Sequence, residues 1–152
     1  MQRERIGLVG CVKSKRGSAA PAADLYTSAL FHGRRRWVEA NSSRWYILSA
    51  KHGLVAPAEM LDLYDETLTT KGSGERRAWA DRVLAQLRDA LGDIGRYDFE
   101  IHAGAAYTEH GLRSGLVSAG ATVGRPAEGL GLGRQLALYK HQPPRPGGAD
   151  TG

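Results

Sequence analysis

The stretch from Tyr46 to Val55 changes abruptly from apolar to polar residues. It reads Tyr-Ile-Leu-Ser-Ala-Lys-His-Gly-Leu-Val, so an apolar run stops at Ser49, Lys51 and His52. A lysine beside a histidine supplies a fixed cation and a group that titrates near neutral pH, which suits leaving-group stabilisation or general acid catalysis. We therefore predict that Lys51 and His52 are catalytic and that Ser49 binds the ligand. Capping of the backbone by His52 and solvation of Lys51 would also account for the pattern.

A basic turn, Gly10-Cys11-Val12-Lys13-Ser14-Lys15, follows the first apolar run of the chain. It lacks the GxxxxGK[ST] spacing of a Walker P-loop, but small residues and lysines can hold a phosphate through backbone N–H groups and ammonium charge. Lys13 and Lys15 are therefore predicted to bind phosphate. Cys11 is a candidate nucleophile if these lysines lower the pKa of its thiol, and otherwise a small buried strand residue.

Two later segments carry candidate ligand-binding residues. The small residues after His102 would let a flat ligand or a phosphate approach the start of the next helix, although His102 could be only a sheet-edge residue. The glycine run from Gly129 to Gly133 precedes a helix and forms either an anion nest or a set of turns. The candidate residues of the two segments are His102, Gly104, Tyr107, Gly131, Gly133 and Arg134.

A carboxylate could activate water or stabilise a cationic sugar in the transition state. The available acids are Asp62, Asp65, Glu66 and Glu128. Asp65, beside Tyr64, is the acid that we predict to be catalytic. The same acids also fit a solvated loop in which they form turns.

The charge of the chain favours anionic partners. It carries 21 Lys and Arg against 16 Asp and Glu, a formal charge of +5, which is compatible with phosphates, nucleotides or nucleic acid and also with simple solubility. Arg34, Arg35 and Arg36 stand beside Trp37 in a basic cluster. Such a cluster is either a solvated helix face or a surface for a phosphate backbone.

The elements that must position these residues alternate between strand and helix. Strands are predicted over residues 6–12, 44–49, 97–102 and 121–124, and helices over 24–41, 75–91, 107–119 and 134–141. The first helix is expected to be bent or interrupted near Gly33, and residues 51–61 to form a loop. The alternation of apolar and polar residues over 97–102 predicts a third strand that lies nearer an edge or is partly wet on one face. The alternation predicts an α/β fold with three layers, in which helices flank a small, mainly parallel sheet of about four strands. Right-handed crossovers would put the strand ends, and thus the candidate residues, at one edge.

Length and composition limit the organisation of the chain. At 152 residues it is long enough for one domain with a core, which we place at residues 6–141, followed by a disordered Pro/Gly-rich tail at 142–152. No window reaches the roughly 18 apolar residues of a membrane span, and the first apolar run is too short for a signal peptide, so we expect a cytoplasmic protein without membrane contact. The single cysteine, Cys11, excludes an intramolecular disulfide. The oligomeric state is not determined by the sequence.

Five segments together resemble a bacterial and phage family known only as a domain of unknown function: Gly10–Lys15, Asp24–Phe31, Trp45–Val55, Tyr64–Leu68 and Gly129–Leu136. More distantly, the cysteine-lysine turn and the following helix with Tyr26 resemble archaeosine-synthase-type tRNA modification proteins, which implies that Tyr26 binds ligand. The general layout is similar to uracil-DNA-glycosylase-like and YaaA-like α/β domains. The chain lacks the Asp-Pro-Tyr-His turn and the His-Pro-Ser loop of the glycosylases, so a standard uracil excision mechanism is in doubt.

These observations predict an enzyme that acts on a nucleotide, nucleoside or modified base, by hydrolysis or transfer at an N-glycosidic bond. Lys13, Lys15 and the glycine run would hold phosphate, and Asp65 would assist water or the sugar cation. Lys51 and His52 would stabilise the departing base, and no metal or other cofactor is needed. The alternatives are a non-catalytic nucleic-acid-binding module that uses the arginine cluster and a cysteine-dependent transferase that uses Cys11.

Overall fold

A computed structural model describes residues 3–10, 19–26, 28–61, 64 and 66–140. Its strands are β1 Arg5–Gly10, β2 Ala20–Pro21, β3 Arg44–Ser49, β4 Gly53–Val55, β5 Met60–Leu61, β6 Asp98–His102 and β7 Thr122–Gly124. Its helices are α1 Ala22–Leu25, α2 Ala29–Asn41, α3 Ser73–Leu91, α4 Ala105–Thr108, α5 Leu112–Ser118 and α6 Leu132–Lys140, and single 3-10 turns cover Leu68–Thr70 and Ile94–Arg96. The tail predicted at 142–152 lies outside the described residues.

The main sheet has five strands in the order β4-β3-β1-β6-β7. β3, β1, β6 and β7 run parallel, and β4 is antiparallel to β3. Since the four parallel strands are those predicted from the sequence and helices cover the sheet, the α/β fold is confirmed. The apolar run of β1 lies at the centre, as is usual for a parallel strand that is buried on both faces.

Helices pack on both faces of the sheet and create two apolar layers. α3, α4 and α5 cover the face that receives Ile6 and Leu8 of β1, and α1, α2 and α6 cover the face that receives Val9. On the second face Gly7 lets α2 approach closely, because a Cβ on this glycine would lie 2.6 Å from Val38 Cγ1. We call the face under α1, α2 and α6 the α2 face.

Residues 51–61, predicted as a loop, contain two short strands. β4 forms a hairpin with β3, and β5 pairs with β2. The hairpin turn at Lys51 and His52 closes at Gly53, whose φ of 74° lies in the left-handed region and whose Cβ would overlap Gln86 Oε1. Both the conformation and the space therefore require glycine. The loop prediction was wrong because strands of two or three residues show no periodicity and form only through pairing with a partner.

The helix predicted over residues 24–41 is divided earlier than expected. Ser28 separates α1 from α2 and caps α2, since its Oγ accepts a hydrogen bond from Phe31 N at 3.1 Å. α2 then continues through Gly33, so the interruption predicted there was wrong. A Cβ at Gly33 would lie 2.7 Å from Tyr139 Cβ, and the glycine thus allows α2 and α6 to pack closely.

The third predicted strand, β6, has a polar face that was expected to be nearer an edge or partly wet. β6 is paired on both sides, with β1 and β7. Its polar side chains Glu100 and His102 are covered, with side-chain exposures of 13% and 0%. β6 lies next to the edge strand β7, and Asp98 on the same face is 23% exposed. Water is excluded only toward Glu100 and His102, because buried hydrogen-bond partners replace it there.

No helix in the described part of the chain has the length and apolar character needed to cross a membrane.

Candidate functional site

The four parallel strands end at one edge of the sheet, which we call the carboxyl edge. β3 ends at Ser49, β1 at Gly10, β6 at His102 and β7 at Gly124. Ligands of open α/β sheets bind at such an edge. The predicted phosphate turn follows Gly10 in the sequence, and its residues Cys11, Lys13 and Lys15 lie outside the described residues, as does Asp65.

On one side of β1 lies a group of four residues on the α2 face, which we call the hairpin cluster: Tyr26, Ser49, His52 and Tyr64. Ser49 Oγ donates a hydrogen bond to Tyr64 Oη at 3.0 Å and accepts one from His52 N at 3.1 Å. The hydroxyls of Tyr26 and Tyr64 are hydrogen-bonded to each other. The imidazole of His52 stands edge-on to the Tyr64 ring, with centroids 5.4 Å apart. Three of the predicted site residues are thus in one connected group.

Helix α3 fixes the backbone of the hairpin turn from the opposite face of the sheet. Three α3 side chains donate hydrogen bonds to carbonyls of the turn: Trp79 Nε1 to Ser49 O at 2.8 Å, Arg82 Nη1 to Lys51 O at 2.9 Å and Gln86 Nε2 to His52 O at 3.2 Å. The Lys51 side chain is exposed and that of His52 is half-buried. The turn therefore presents an ammonium and an imidazole from a backbone that is held in place.

On the other side of β1, at the ends of β6 and β7, lies a cavity of about 200 Å³, which we call the arginine pocket. Its walls are residues 101–105 and 125–130 except Pro126, with Arg34 from α2 and Gln135 from α6. His102 and Gly104, both predicted to bind ligand, are among these residues. A Cβ at Gly104 would meet no atom within 4 Å, so this wall is open.

Both arginines of the pocket are held by backbone carbonyls at strand ends. Arg34, with 6% of its surface exposed, donates from Nη1 to Gly10 O at 3.3 Å and from Nη2 to Gln135 Oε1 at 3.4 Å. Arg125, whose side chain is 11% exposed, donates from Nη2 to Ala103 O at 2.8 Å. Two guanidinium groups are therefore positioned at the carboxyl edge by the ends of β1 and β6.

Carboxylates join the Arg125 side of the pocket to α4 and α5. Glu128 accepts hydrogen bonds from both Nη atoms of Arg113 at 3.1 Å and lies 3.4 Å from Arg125 Nη1, and Glu109 lies 3.5 Å from both arginines. The hydrogen bond from Arg113 holds the pKa of Glu128 below its usual range. Glu128, one of the candidate acids, is thus an ionised ion-pair partner.

A buried polar network lies behind the arginine pocket. Glu100 Oε1 accepts a hydrogen bond from Trp37 Nε1 at 2.8 Å and lies 3.1 Å from His102 Nε2, and Arg5 Nη1 lies 3.3 Å from Glu100 Oε2. His102 Nδ1 lies 2.7 Å from Tyr139 Oη. The network ties β6 to α2 and α6 and to the Arg5 end of β1.

Burial and hydrogen bonding decide the charges in this network. Burial lowers the pKa of His102 despite the nearby Glu100, and burial raises the pKa of Tyr139. Burial raises the pKa of Glu100 too, but hydrogen bonds from His102 and Trp37 outweigh it and leave the pKa below its usual value. A neutral imidazole has one N–H, so Nε2 donates to the Glu100 carboxylate and Nδ1 accepts from the Tyr139 hydroxyl.

The depressed pKa of His102 predicts that acid destabilises the fold. As the pH falls below 6.5, the usual histidine value, the unfolded chain takes up a proton at this position that the folded protein excludes. The unfolded state then binds more protons, so the free energy of unfolding is lower at about pH 5 than at about pH 6.5, with a slope of at most about 1.4 kcal/mol per pH unit. Urea unfolding at these two pH values measures the difference.

His102→Gln is the matched variant for this measurement, because glutamine keeps polar atoms at the position but does not titrate. We expect its stability to change less between the two pH values, whatever its absolute stability. An equal pH dependence in the variant and the native protein would show that the titrating group is not His102.

The remaining predicted residues lie apart from the two groups. Tyr107 is in the core against α3, where its ring stands edge-on to Trp79 with centroids 5.3 Å apart and its hydroxyl accepts from Leu68 N at 3.4 Å. Gly131, Gly133 and Arg134 are exposed near the start of α6 and are outside the arginine pocket. Gly129, at the beginning of the glycine run, does line it.

Sequence reasoning did not single out Arg125 or Glu100 as site residues, and it placed Gln135 only on the helix of the candidate anion nest. Arg125 directly follows the end of β7, so the strand-end rule that selected Lys51 and His52 also applies to it. Glu100 stands two residues before His102, a spacing that puts both side chains on one face of a strand. No sequence signal indicated that Gln135 reaches Arg34.

Comparison with known proteins gives a family without an activity. The sequence profile of a family of unknown function, DUF6884, matches residues 6–141. The chain belongs to this family. No protein with a curated description and no solved structure matches this DUF6884 chain. The predicted membership in a family of unknown function is confirmed, and the distant resemblances to tRNA modification, YaaA-like and glycosylase-like domains stay predictions.

Proposed function

We propose that this DUF6884 chain is an enzyme that acts on a nucleotide, nucleoside or modified base, by hydrolysis or transfer at an N-glycosidic bond. The observation that carries the proposal is that the hairpin cluster and the arginine pocket flank the end of β1 at the same edge. One side offers the Lys51 ammonium and the His52 imidazole, and the other offers two guanidinium groups. A ligand with an anionic group at one end and a departing nucleobase at the other would contact both the arginine pocket and the hairpin cluster.

In this mechanism the hairpin turn acts on the leaving group. Lys51 stabilises negative charge that develops on the departing base, and His52 acts as the general acid that supplies a proton to it. A carboxylate assists water or the sugar cation, and we keep Asp65 in this role. Lys13 and Lys15, on the turn that follows Gly10, add positive charge for a phosphate.

The alternative of a nucleic-acid-binding module loses support from the surroundings of its arginine cluster. Arg34 is buried in the arginine pocket. Arg35 is paired with Asp24 at 3.1 Å and Glu39 at 3.2 Å. Only Arg36 of the three is exposed, so the cluster does not form a continuous basic face. The cysteine-dependent transferase stays a prediction, because Cys11 is outside the described residues.

The test uses chromatography to measure the release of free base from a panel of nucleosides, nucleotides and modified bases linked to ribose or deoxyribose. We expect one class of substrate to release free base, and His52→Ala to lower kcat about a hundredfold, the usual contribution of a general acid. His110→Ala is the control, since His110 lines a separate groove with Ser73 and Arg77. We expect this variant to keep the native rate.

Two results would contradict the proposal. If the folded protein releases no base from any member of the panel, the N-glycosidic reaction is wrong. If His52→Ala and His110→Ala release base equally well, the reaction does not use the hairpin turn. Circular dichroism of each variant establishes that the fold is retained.

A further inference from the structure

The arginine pocket has room for one small group. Its volume of about 200 Å³ is below the roughly 300 Å³ at which pockets for drug-sized ligands begin. It corresponds to about six or seven water molecules at ~30 Å³ each. A single phosphoryl group fits this space, whereas a whole nucleotide does not. The rest of a larger ligand must therefore lie outside the pocket.

The charges of the lining favour an anion. Arg34 and Arg125 supply two guanidinium groups, and Glu128 supplies one carboxylate, which also binds both Nη atoms of Arg113 outside the pocket. Positive charge is therefore in excess in the lining. The planar fork of a guanidinium matches two oxygens of a phosphate, and both arginines are largely buried, where such charge-assisted hydrogen bonds are strengthened.

Protein groups hold the two arginines in place. The carbonyls of Gly10 and Ala103, at the ends of β1 and β6, bind Arg34 and Arg125. Binding an anion therefore orders little additional side-chain freedom, which lowers the entropic cost of association.

The distance along the carboxyl edge indicates what the rest of the ligand is. The end of β6 is two strand positions from the end of β3 in the sheet order, about 10 Å at the usual strand spacing. This is about the length of a nucleoside with one phosphate. At the far end, the rings of His52 and Tyr64 are half-buried and offer aromatic surface to a base.

We propose that the arginine pocket binds the phosphoryl group of a nucleoside monophosphate, whose sugar and base lie along the carboxyl edge toward the hairpin cluster. Arg34 and Arg125 are the phosphate-binding residues in this inference. That a nucleobase occupies the other end of the ligand rests on the proposed function. A triphosphate is disfavoured because its additional phosphoryl groups exceed the space of the pocket.

Titration calorimetry with inorganic phosphate tests the pocket independently of any reaction. We expect the native protein to bind phosphate and Arg125→Gln to weaken binding at least about tenfold, the effect of losing one charge-assisted hydrogen bond. Arg88→Gln makes the same charge change at an exposed position on α3, outside the lining. We expect it to change the Kd less than about twofold.

The pocket assignment is overturned if the native protein does not bind phosphate, or if Arg125→Gln and Arg88→Gln weaken binding equally. Arg125→Lys keeps the charge but removes the fork, and we expect an intermediate Kd. Thermal melts establish that each variant folds. If Arg125→Gln does not fold, Arg125→Lys decides the outcome, and an Arg125→Lys protein that binds phosphate as tightly as the native protein contradicts the inference.

The substrate class is tested with a nucleoside, its monophosphate and its triphosphate in the same calorimeter. We expect the monophosphate to bind most tightly and to displace phosphate. A nucleoside or triphosphate that binds as tightly overturns the monophosphate assignment. If phosphate and monophosphate bind as expected but no base is released, the proposed N-glycosidic reaction fails and the phosphate site remains.

Discussion

Replacing Glu100 with alanine is expected to lower the free energy of unfolding by about 3 kcal/mol. The Glu100 carboxylate accepts hydrogen bonds from Trp37 and His102 and pairs with Arg5. Its removal leaves buried donors without their acceptor, and breaking a buried ionic group by removing one partner typically costs about 3–5 kcal/mol. Arg5 keeps its 2.7 Å contact with Asp98, so we expect the lower end of this range. Urea unfolding followed by circular dichroism measures the change.

Two variants distinguish the loss of the buried network from the loss of one negative charge. Glu100→Gln keeps an oxygen acceptor without the charge, and we expect a smaller loss of about 1–2 kcal/mol. Glu39→Ala removes an exposed glutamate whose partner is Arg35 one helical turn away, and we expect a loss below about 0.5 kcal/mol. A Glu100→Ala protein as stable as Glu39→Ala would show that the network does not support the fold.

Replacing Trp79 with alanine is expected to lower the free energy of unfolding by about 4 kcal/mol. Trp79 is 6% exposed and packs in the layer under α3, edge-on to Tyr107. Removal of a buried tryptophan leaves a cavity and typically costs about 3–5 kcal/mol. Its indole N–H also binds Ser49 O at the end of β3, so the substitution loosens the backbone beneath the hairpin turn.

Trp79→Phe separates the hydrogen bond from the packing. Phenylalanine fills most of the space but cannot donate to Ser49 O, so we expect a loss of roughly 1–2 kcal/mol. The same urea titrations give both values. If Trp79→Ala costs no more than Trp79→Phe, the ring does not contribute to the core in the way its burial indicates.

The sequence by itself determined the alternation of strands and helices and the edge at which the polar segments lie. β1 is recognisable because its residues form a continuous apolar run. α3 is recognisable because Trp79, Val83 and Leu87 recur at helical spacing. These are local patterns, since the period of the apolar residues follows from the geometry of one element. The placement of Ser49, Lys51 and His52 at a strand end followed in the same way.

The tertiary structure alone decided which polar residues meet. Arg34 was part of a basic cluster in the sequence, and it lines a pocket with Arg125 because α2 packs against the sheet beside the end of β6. The polar face of β6 was expected to be partly wet, and α2 and α6 cover Glu100 and His102 on this face. The hairpin of β3 and β4 places Lys51 and His52 on a turn held by α3. Each of these outcomes depends on contacts between residues far apart in the chain, and such contacts leave no periodic signal in the segments that make them.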